Sequence, residues 1–285
     1  MRIDWCAMPD RNLREAFFDQ SIARRLSLDP GSLSSSSIST LPAENDPADR
    51  FAGFIFHGSR CGSTLVAQML AAIDGHSVLS EPAILDQVLR SEEGGTNLLR
   101  GVMNAFRRWG AGRRLFVKFI AATVVDAPRI SDDTADVPRL FLYRDPVEVV
   151  TSLVGSQSER IPPGLMEKGL LPQADRRNDM RPAEFWARVV GRQYEAALRF
   201  AIHPVNYTQV IDENDGTIWR HFGLHPTEAE KALMSSVRGR NAKEPSRSYE
   251  VTTRTATPEI RAAVDRFAFE AYERLERARR SLAVN

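Results

Sequence analysis

From about residue 49 onward, short apolar runs alternate with longer stretches of helical period. Phe51 to His57 (FAGFIFH) is nearly all apolar and ends in a glycine-rich turn, after which Leu65 to Ile73 follows a helical pattern. Ser77 to Leu79, Leu115 to Ile120 (LFVKFI) and Leu140 to Tyr143 (in PRLFLYRD) are three more strand candidates. The last of them leads into a helix through Val147, Val150 and Leu153. Strands this short and this apolar, separated by helices, are what a parallel sheet buried on both faces requires. The pattern predicts an α/β fold of three layers, with a mostly parallel central sheet flanked by helices.

Two longer helices are predicted. Pro182 to Ala201 carries Phe185, Trp186, Val189, Val190, Tyr194, Ala197 and Leu198 on one side. Glu259 to Ser281 carries Ile260, Val264, Phe267, Ala271 and Leu275 on one face, with arginines elsewhere. Residues 1–28 read as an amphipathic helical segment through Phe17, Phe18, Ile22 and Leu26. The serine-rich stretch SLSSSSIST and the prolines at 42 and 47 read as a linker. This divides the chain into an N-terminal segment and linker, 1–48, and a main domain, 49–285. Gly155 to Arg181 carries Pro162, Pro163, Gly164 and Pro172 and no clear period, the mark of a long loop that is functional or disordered.

Composition narrows the function classes. The chain has 285 residues, 42% hydrophobic and 26% charged, enough for a sizeable core. A net charge of +1 gives no reason to expect nucleic-acid or membrane partners, so an anionic ligand must be held by local basic residues. The two cysteines, Cys6 and Cys61, have no metal-ligand spacing and fit a reducing compartment. The N-terminus lacks the apolar core of a signal peptide, and no stretch has the length of a bilayer span. A cytoplasmic protein without a bound metal is expected.

The most informative segment is FIFHGSRCGSTLVAQML, a strand running through a Gly- and Ser-rich turn straight into a helix. Such a turn aims backbone N–H groups at one spot, and the helix dipole adds positive potential there. Gly58 and Gly62 permit close approach, Ser59, Ser63 and Thr64 offer hydroxyls, and Arg60 offers a fixed charge. A Walker loop is excluded, because Gly58 and Gly62 are too close and Ser63 stands where its lysine belongs. A cysteine phosphatase loop would need an arginine where Ala67 stands, and a nucleophile elbow would need a serine where Arg60 stands.

SRCGSTL resembles the 5′-phosphosulfate loop of the sulfotransferases that use 3′-phosphoadenosine-5′-phosphosulfate (PAPS), whose common forms run P-[KR]-S-G-T/S-T. Two positions depart from it: Ser59 replaces the usual proline and Cys61 the usual serine. PRLFLYRDPVEVVTSL resembles the same family's 3′-phosphate motif, with Arg144 at a strand end and Ser152 eight residues later on a helix. An arginine fork and a helix-borne hydroxyl suit a phosphate. HPVNYTQVID and WRHFGLHPTEAE resemble the family's downstream strand and turn, so the likeness covers about Asp49 to the C-terminus. It is nearest to the tyrosylprotein and bacterial branch.

The resemblance implies a P-loop-like domain that moves a sulfuryl group from PAPS to a hydroxyl or amine, leaving adenosine 3′,5′-bisphosphate. It places Ser59, Arg60, Cys61, Gly62, Ser63 and Thr64 around the 5′-phosphosulfate, with Arg60 bridging to the transferring group. Glu81, in VLSEPAIL, stands twenty-one residues after Arg60, the interval of the branch's base glutamate. As it follows a strand, it is expected at the carboxyl edge of the sheet. His57 and His76 are lesser candidates for the base. Lys118, inside an apolar strand, matches a lysine that stabilises the transferring group. A late basic stretch, SSVRGRNAKEPSRSY, supplies Arg238, Arg240, Lys243 or Arg247 to the 3′-phosphate, with Lys243 favoured. A small-molecule, carbohydrate or peptide acceptor is expected, with Phe185 and Trp186 as wall residues. Two other readings stay open: an ATP-dependent phosphotransferase holding Mg²⁺ through Asp145, and a non-catalytic nucleotide-binding protein on the same fold.

Overall fold

The computed structural model describes residues 2–42, 50–91, 95–130, 134–155, 170–177, 179–212, 215–239 and 255–282. In chain order the elements are β1 (Arg2–Cys6), α1 (Phe18–Leu28), β2 (Leu33–Ser37), β3 (Phe51–His57), α2 (Ser63–Ala71), β4 (His76–Ser80), α3 (Ala83–Arg90), α4 (Gly95–Trp109) and β5 (Arg114–Lys118). Then follow β6 (Arg139–Tyr143), α5 (Pro146–Gly155), α6 (Pro182–Arg199), β7 (His203–Asn206), α7 (Tyr207–Ile211), α8 (Thr217–His221), α9 (Glu228–Arg238), α10 (Pro258–Phe267) and α11 (Phe269–Leu282).

Five strands form one sheet in the order β4-β5-β3-β6-β7. Strand β5 pairs parallel with both β4 and β3, and β6 pairs parallel with β7. Strand β3 meets β6 through Phe54 N–H to Pro138 O and Gly58 N–H to Leu142 O, two bonds advancing in the same sense on both chains and hence parallel. The apolar runs follow from burial on both faces: Phe54, Ile55, Phe116, Val117 and Leu140 to Tyr143 are all fully buried. From β3 the chain builds β4 and β5 on one side and then β6 and β7 on the other. The carboxyl end of β3 is therefore the topological switch point, where ligands bind in open α/β sheets.

The chain splits into two compact units. One comprises Met1–Ile55, Ser63–Arg139 and Trp219–Tyr249, and the other Phe56–Gly62, Leu140–Ile218 and Glu250–Asn285. In the first, the serine-rich stretch read as linker contributes β2, which pairs antiparallel with β1 from Arg2↔Ser37 to Cys6↔Leu33. Strand β2 is largely exposed, so the backbone ladder rather than apolar burial makes it a strand. Helix α1 begins only at Phe18, later than the amphipathic pattern suggested.

In the second unit, the single long C-terminal helix read from the sequence is two helices, α10 and α11, broken at Ala268. Helix α6 crosses there: a Cβ on Gly191 would lie 1.9 Å from the Phe267 carbonyl oxygen. Glu276 of α11 is buried and accepts from Tyr143 Oη on β6 and Asn206 Nδ2 on β7, both at 2.7 Å, and from Arg279 at 2.6 Å. No described helix is long and apolar enough to cross a membrane.

Candidate functional site

In the second unit, β3 ends at His57 and the loop Gly58–Gly62 follows. Cys61 is buried, and its thiol donates inward to Gly58 O at 2.9 Å, closing the loop from within. Arg60 is exposed and holds a left-handed backbone, φ 59°. For a non-glycine residue that conformation costs about 1–2 kcal/mol and persists only where surroundings enforce it. Gly62 has φ 81°, and a Cβ there would lie 2.8 Å from two ring carbons of Tyr207. Ser59 is half-buried, and the chain enters α2 through the buried Ser63 and Thr64. The first turn of a helix leaves N–H groups without intrahelical partners, which favours an anion.

Arg144 comes directly after β6. Its guanidinium lies 4.4 Å from the ring centroid of Tyr207 and pairs with Glu148 one turn into α5. Its carbonyl accepts the Tyr194 hydroxyl at 2.6 Å, and burial pushes that phenol well above its ordinary range. Tyr207 thus touches both Gly62 and Arg144. It follows β7 as Arg144 follows β6, and its sequence signal was its place in HPVNYTQVID, where the resembling segment has a strand ending near a tyrosine before a helix. Ser152 stands half-buried on α5, eight residues past Arg144. Asp145 caps α5, its Oδ1 accepting the N–H of Val147 at 2.7 Å and of Glu148 at 3.3 Å.

In the first unit, register brings two charges together. Ser80 pairs with Lys118, so Glu81 falls one step beyond, and its N–H donates to Lys118 O at 2.7 Å. Lys118 Nζ meets Glu81 Oε1 at 2.7 Å and Thr64 Oγ1 at 3.4 Å, and lies 5.3 Å from the Phe17 ring centroid. The Lys118 side chain is 0% exposed and that of Glu81 21%. The strand-end lysine therefore does not reach solvent. Glu81 has φ 55° and precedes α3 rather than lying in its first turn. A buried ion pair of this kind is weak as a stabiliser, because desolvation offsets most of the Coulombic gain.

Other candidates are placed elsewhere. His76 begins β4, at the end opposite Glu81; its Nδ1 lies 3.1 Å from Leu70 O, and burial holds the imidazole below its ordinary pKa. His57 is buried with Nδ1 2.9 Å from Gly58 O. Phe185 and Trp186 are buried on α6 and pack edge to face at 5.0 Å. Two arginines are held within the fold: Arg113 donates to His76 O and Ser77 Oγ, and Arg279 pairs with Glu276. Lys243, Arg240, Arg247 and residues 156–169 lie outside the described residues.

The chain is an α/β protein with a parallel sheet, and charged side chains stand at or just past strand ends in each unit: Arg60 and Arg144 in the second, Glu81 and Lys118 in the first. Among solved structures, the chain is similar to the sulfotransferase domain from the curacin biosynthetic pathway, with 13% identity and a TM-score of 0.49 over 78% of this chain and 98% of that one. It is also similar to the sulfotransferase from Alicyclobacillus acidocaldarius, with 15% identity and a TM-score of 0.46 over 81% and 96%. No family model matches the chain, and no curated protein matches it.

Proposed function

We propose that the domain from residue 49 to the C-terminus is a PAPS-dependent sulfotransferase acting on a hydroxyl or amine acceptor. One observation carries the reading. Glu81, Lys118 and Arg144 each stand at or directly after the carboxyl end of a strand of the parallel sheet, and Arg60 lies three residues past another.

The residues suit a nucleotide with phosphate at both ends. The loop from Ser59 to Gly62, continued by Ser63 and Thr64, offers backbone and hydroxyl donors and the Arg60 charge to a 5′-phosphosulfate. Gly62 belongs there because a side chain would strike Tyr207. Arg144 and Ser152 suit a 3′-phosphate, with Lys243 as the proposed late cation. The donor supplies an activated sulfuryl group; the chain supplies position and charge. Glu81 accepts the acceptor's proton, while Lys118 and Arg60 offset negative charge on the transferring group and the departing phosphate. Lys118 pairs with Glu81. A donor that draws Lys118 toward its own charge releases the carboxylate for the acceptor.

Against an ATP-dependent phosphotransferase, one oxygen of Asp145, the carboxylate that would hold Mg²⁺, is already engaged in capping α5. The test is a calorimetric titration with adenosine 3′,5′-bisphosphate, run beside ADP and ATP·Mg²⁺. Selective binding of the 3′,5′-bisphosphate supports the donor site and justifies screening acceptors with labelled PAPS. Preference for ATP·Mg²⁺ moves the chain to the phosphotransferase class, and no binding leaves the fold without this chemistry.

A further inference from the structure

In the second unit, β6 and β7 end on one rung of the sheet: Tyr143, the last residue of β6, pairs with Asn206, the last of β7. Arg144 follows the first directly and Tyr207 the second. Both strand-end side chains donate to a single atom, Glu276 Oε1 of α11, at 2.7 Å. Arg279 reaches both carboxylate oxygens, at 3.2 and 2.6 Å, and Arg280 stands 3.6 Å from Oε2. Each of these partners is a donor, which suits an ionised carboxylate, an acceptor only. Burial alone would raise the Glu276 carboxyl, but the bonds from Arg279, Tyr143 and Asn206 outweigh it. An amide in its place would turn N–H groups toward donors.

The carboxylate also sets which way Asn206 faces. With Nδ2 turned to Glu276, Asn206 Oδ1 accepts the Thr208 N–H at 3.0 Å and the Thr208 hydroxyl at 3.1 Å. That oxygen caps α7, and Asn206 N–H donates to Gln209 Oε1 at 3.0 Å to complete the capping box. Tyr207 is the first residue of α7, so its ring starts from the residue that Glu276 orients. On the β6 side, the Tyr143 ring packs edge to face on Tyr194 at 6.0 Å, and the Tyr194 hydroxyl donates to the Arg144 carbonyl at 2.6 Å. The two routes meet where the Arg144 guanidinium lies 4.4 Å from the Tyr207 ring centroid. Apolar packing would tie α11 to the sheet as well as a buried charge does. What the carboxylate adds is two strand ends held at one atom.

We propose that Glu276 is a positioning residue: by holding Tyr143 and Asn206 at one oxygen it sets Arg144 against Tyr207, and so shapes the subsite for a 3′-phosphate. The subsite rests on the sulfotransferase reading; the placing of Arg144 against Tyr207 does not.

The placing is read without any ligand, from the Arg144 Nε–H resonance of isotope-labelled protein, assigned by its loss in Arg144→Lys. The ring current of Tyr207 displaces this signal, and Tyr207→Leu should return it toward the ordinary arginine position. Glu276→Gln should move it in the same direction, and no further once Tyr207→Leu is present. Asn206→Ser is the second variant, should Glu276→Gln not fold. Serine still caps a helix, but its shorter side chain cuts the tie to Glu276. An unmoved Arg144 resonance in the folded variant overturns the proposal.

Calorimetry reads the subsite. Adenosine 3′,5′-bisphosphate should bind about tenfold more weakly to Glu276→Gln and to Asn206→Ser, with adenosine 5′-phosphate affinity unchanged. The two substitutions should be non-additive, the double variant losing no more than either single one. With Arg144→Ala present, Glu276→Gln should weaken binding no further. Equal loss of both nucleotides, or additive losses, would reduce Glu276 to a structural residue. A wild-type protein that binds neither nucleotide refutes the sulfotransferase reading alone, and the Arg144 resonance still decides the placing.

Discussion

Gly62→Ala joins the geometry of the anion loop to a measurable cost. Two effects act at this position. An alanine at φ 81° sits in the left-handed region, which costs about 1–2 kcal/mol. Its methyl would also lie 2.8 Å from Tyr207 Cδ2 and Cε2, well inside the 3.4 Å at which ordinary contact begins. Overpacking of that size typically costs another 1–3 kcal/mol. Gly75 separates the two effects. It has φ 76°, and nothing lies within 4 Å of a Cβ there, so Gly75→Ala measures the dihedral cost alone. Gly62→Ala should therefore be less stable than Gly75→Ala by about 1–3 kcal/mol, read as a gap of about 2–4 °C in Tm per kcal/mol.

The contact also reaches Arg144, proposed for the 3′-phosphate. Tyr207 carries the Arg144 guanidinium at 4.4 Å from its centroid, so a ring displaced by the new methyl moves Arg144's support. Calorimetry should show adenosine 3′,5′-bisphosphate binding weakened about tenfold or more in Gly62→Ala and unchanged in Gly75→Ala. Adding Tyr207→Ala to Gly62→Ala should recover the steric part of the stability loss, leaving a favourable coupling between the two substitutions. Equal Tm losses for the two glycines, or additive effects of Gly62 and Tyr207, would refute the packing argument.

Three further outcomes follow from the described contacts. Glu81→Gln keeps an oxygen facing Lys118 but removes the charge; kcat should fall by about 10²–10⁴ with bisphosphate affinity retained, and equal loss of both sinks the base assignment. Arg144→Ala should weaken bisphosphate binding roughly tenfold to a hundredfold, as loss of charge-assisted hydrogen bonds does, and unchanged affinity removes Arg144 from the 3′-phosphate site. Glu276→Gln tests the tie between α11 and the sheet. Burial alone would raise the Glu276 carboxyl, but bonds from Arg279, Tyr143 and Asn206 outweigh it and hold the group below its ordinary value of 4.5. A depressed folded value means the stabilisation is present above that ordinary value and is lost as pH falls through the depressed one. Wild type should exceed Glu276→Gln by about 2 kcal/mol at pH 7, with the Tm gap shrinking below pH 4.5; a pH-independent gap contradicts the shift.

The sheet was legible in the sequence because strands buried on both faces read as continuous apolar runs. Phe51 to His57 matches β3 at both ends, and the candidates at Leu115 and Leu140 differ from β5 and β6 by a residue or two. The helix break at Ala268 was not legible. Ile260, Val264, Phe267, Ala271 and Leu275 keep helical period straight across it, and its neighbour, Gly191, lies in a different element. Strand β2 escaped for the opposite reason: it is held by backbone pairing to β1, and serine carries no periodic signal. Charged residues at the site were visible because a charge beside an apolar strand stands out. Their aromatic partners were not: Tyr194 read only as part of the apolar side of its helix, and the place of Tyr207 against Gly62 and Arg144 emerges only when the fold brings β6, β7 and the loop together.

The costs concentrated at these positions argue for chemistry over stability. Among the described residues, three non-glycine residues have positive φ, and two of them are Arg60 and Glu81. Each carries about 1–2 kcal/mol of strain that a glycine would relieve. Lys118 adds a fully buried charge, where a leucine or methionine of similar volume would commonly be as stable or more so. Glu81 is linked to Lys118 twice, through its N–H and its carboxylate, so the strained backbone and the buried charge maintain each other. Strain, burial and pairing of this kind persist where the surrounding fold over-determines them, and they collect at sites whose geometry must be fixed before a ligand arrives. A sheet optimised only for packing would show the same apolar strands and none of these three departures at their carboxyl ends.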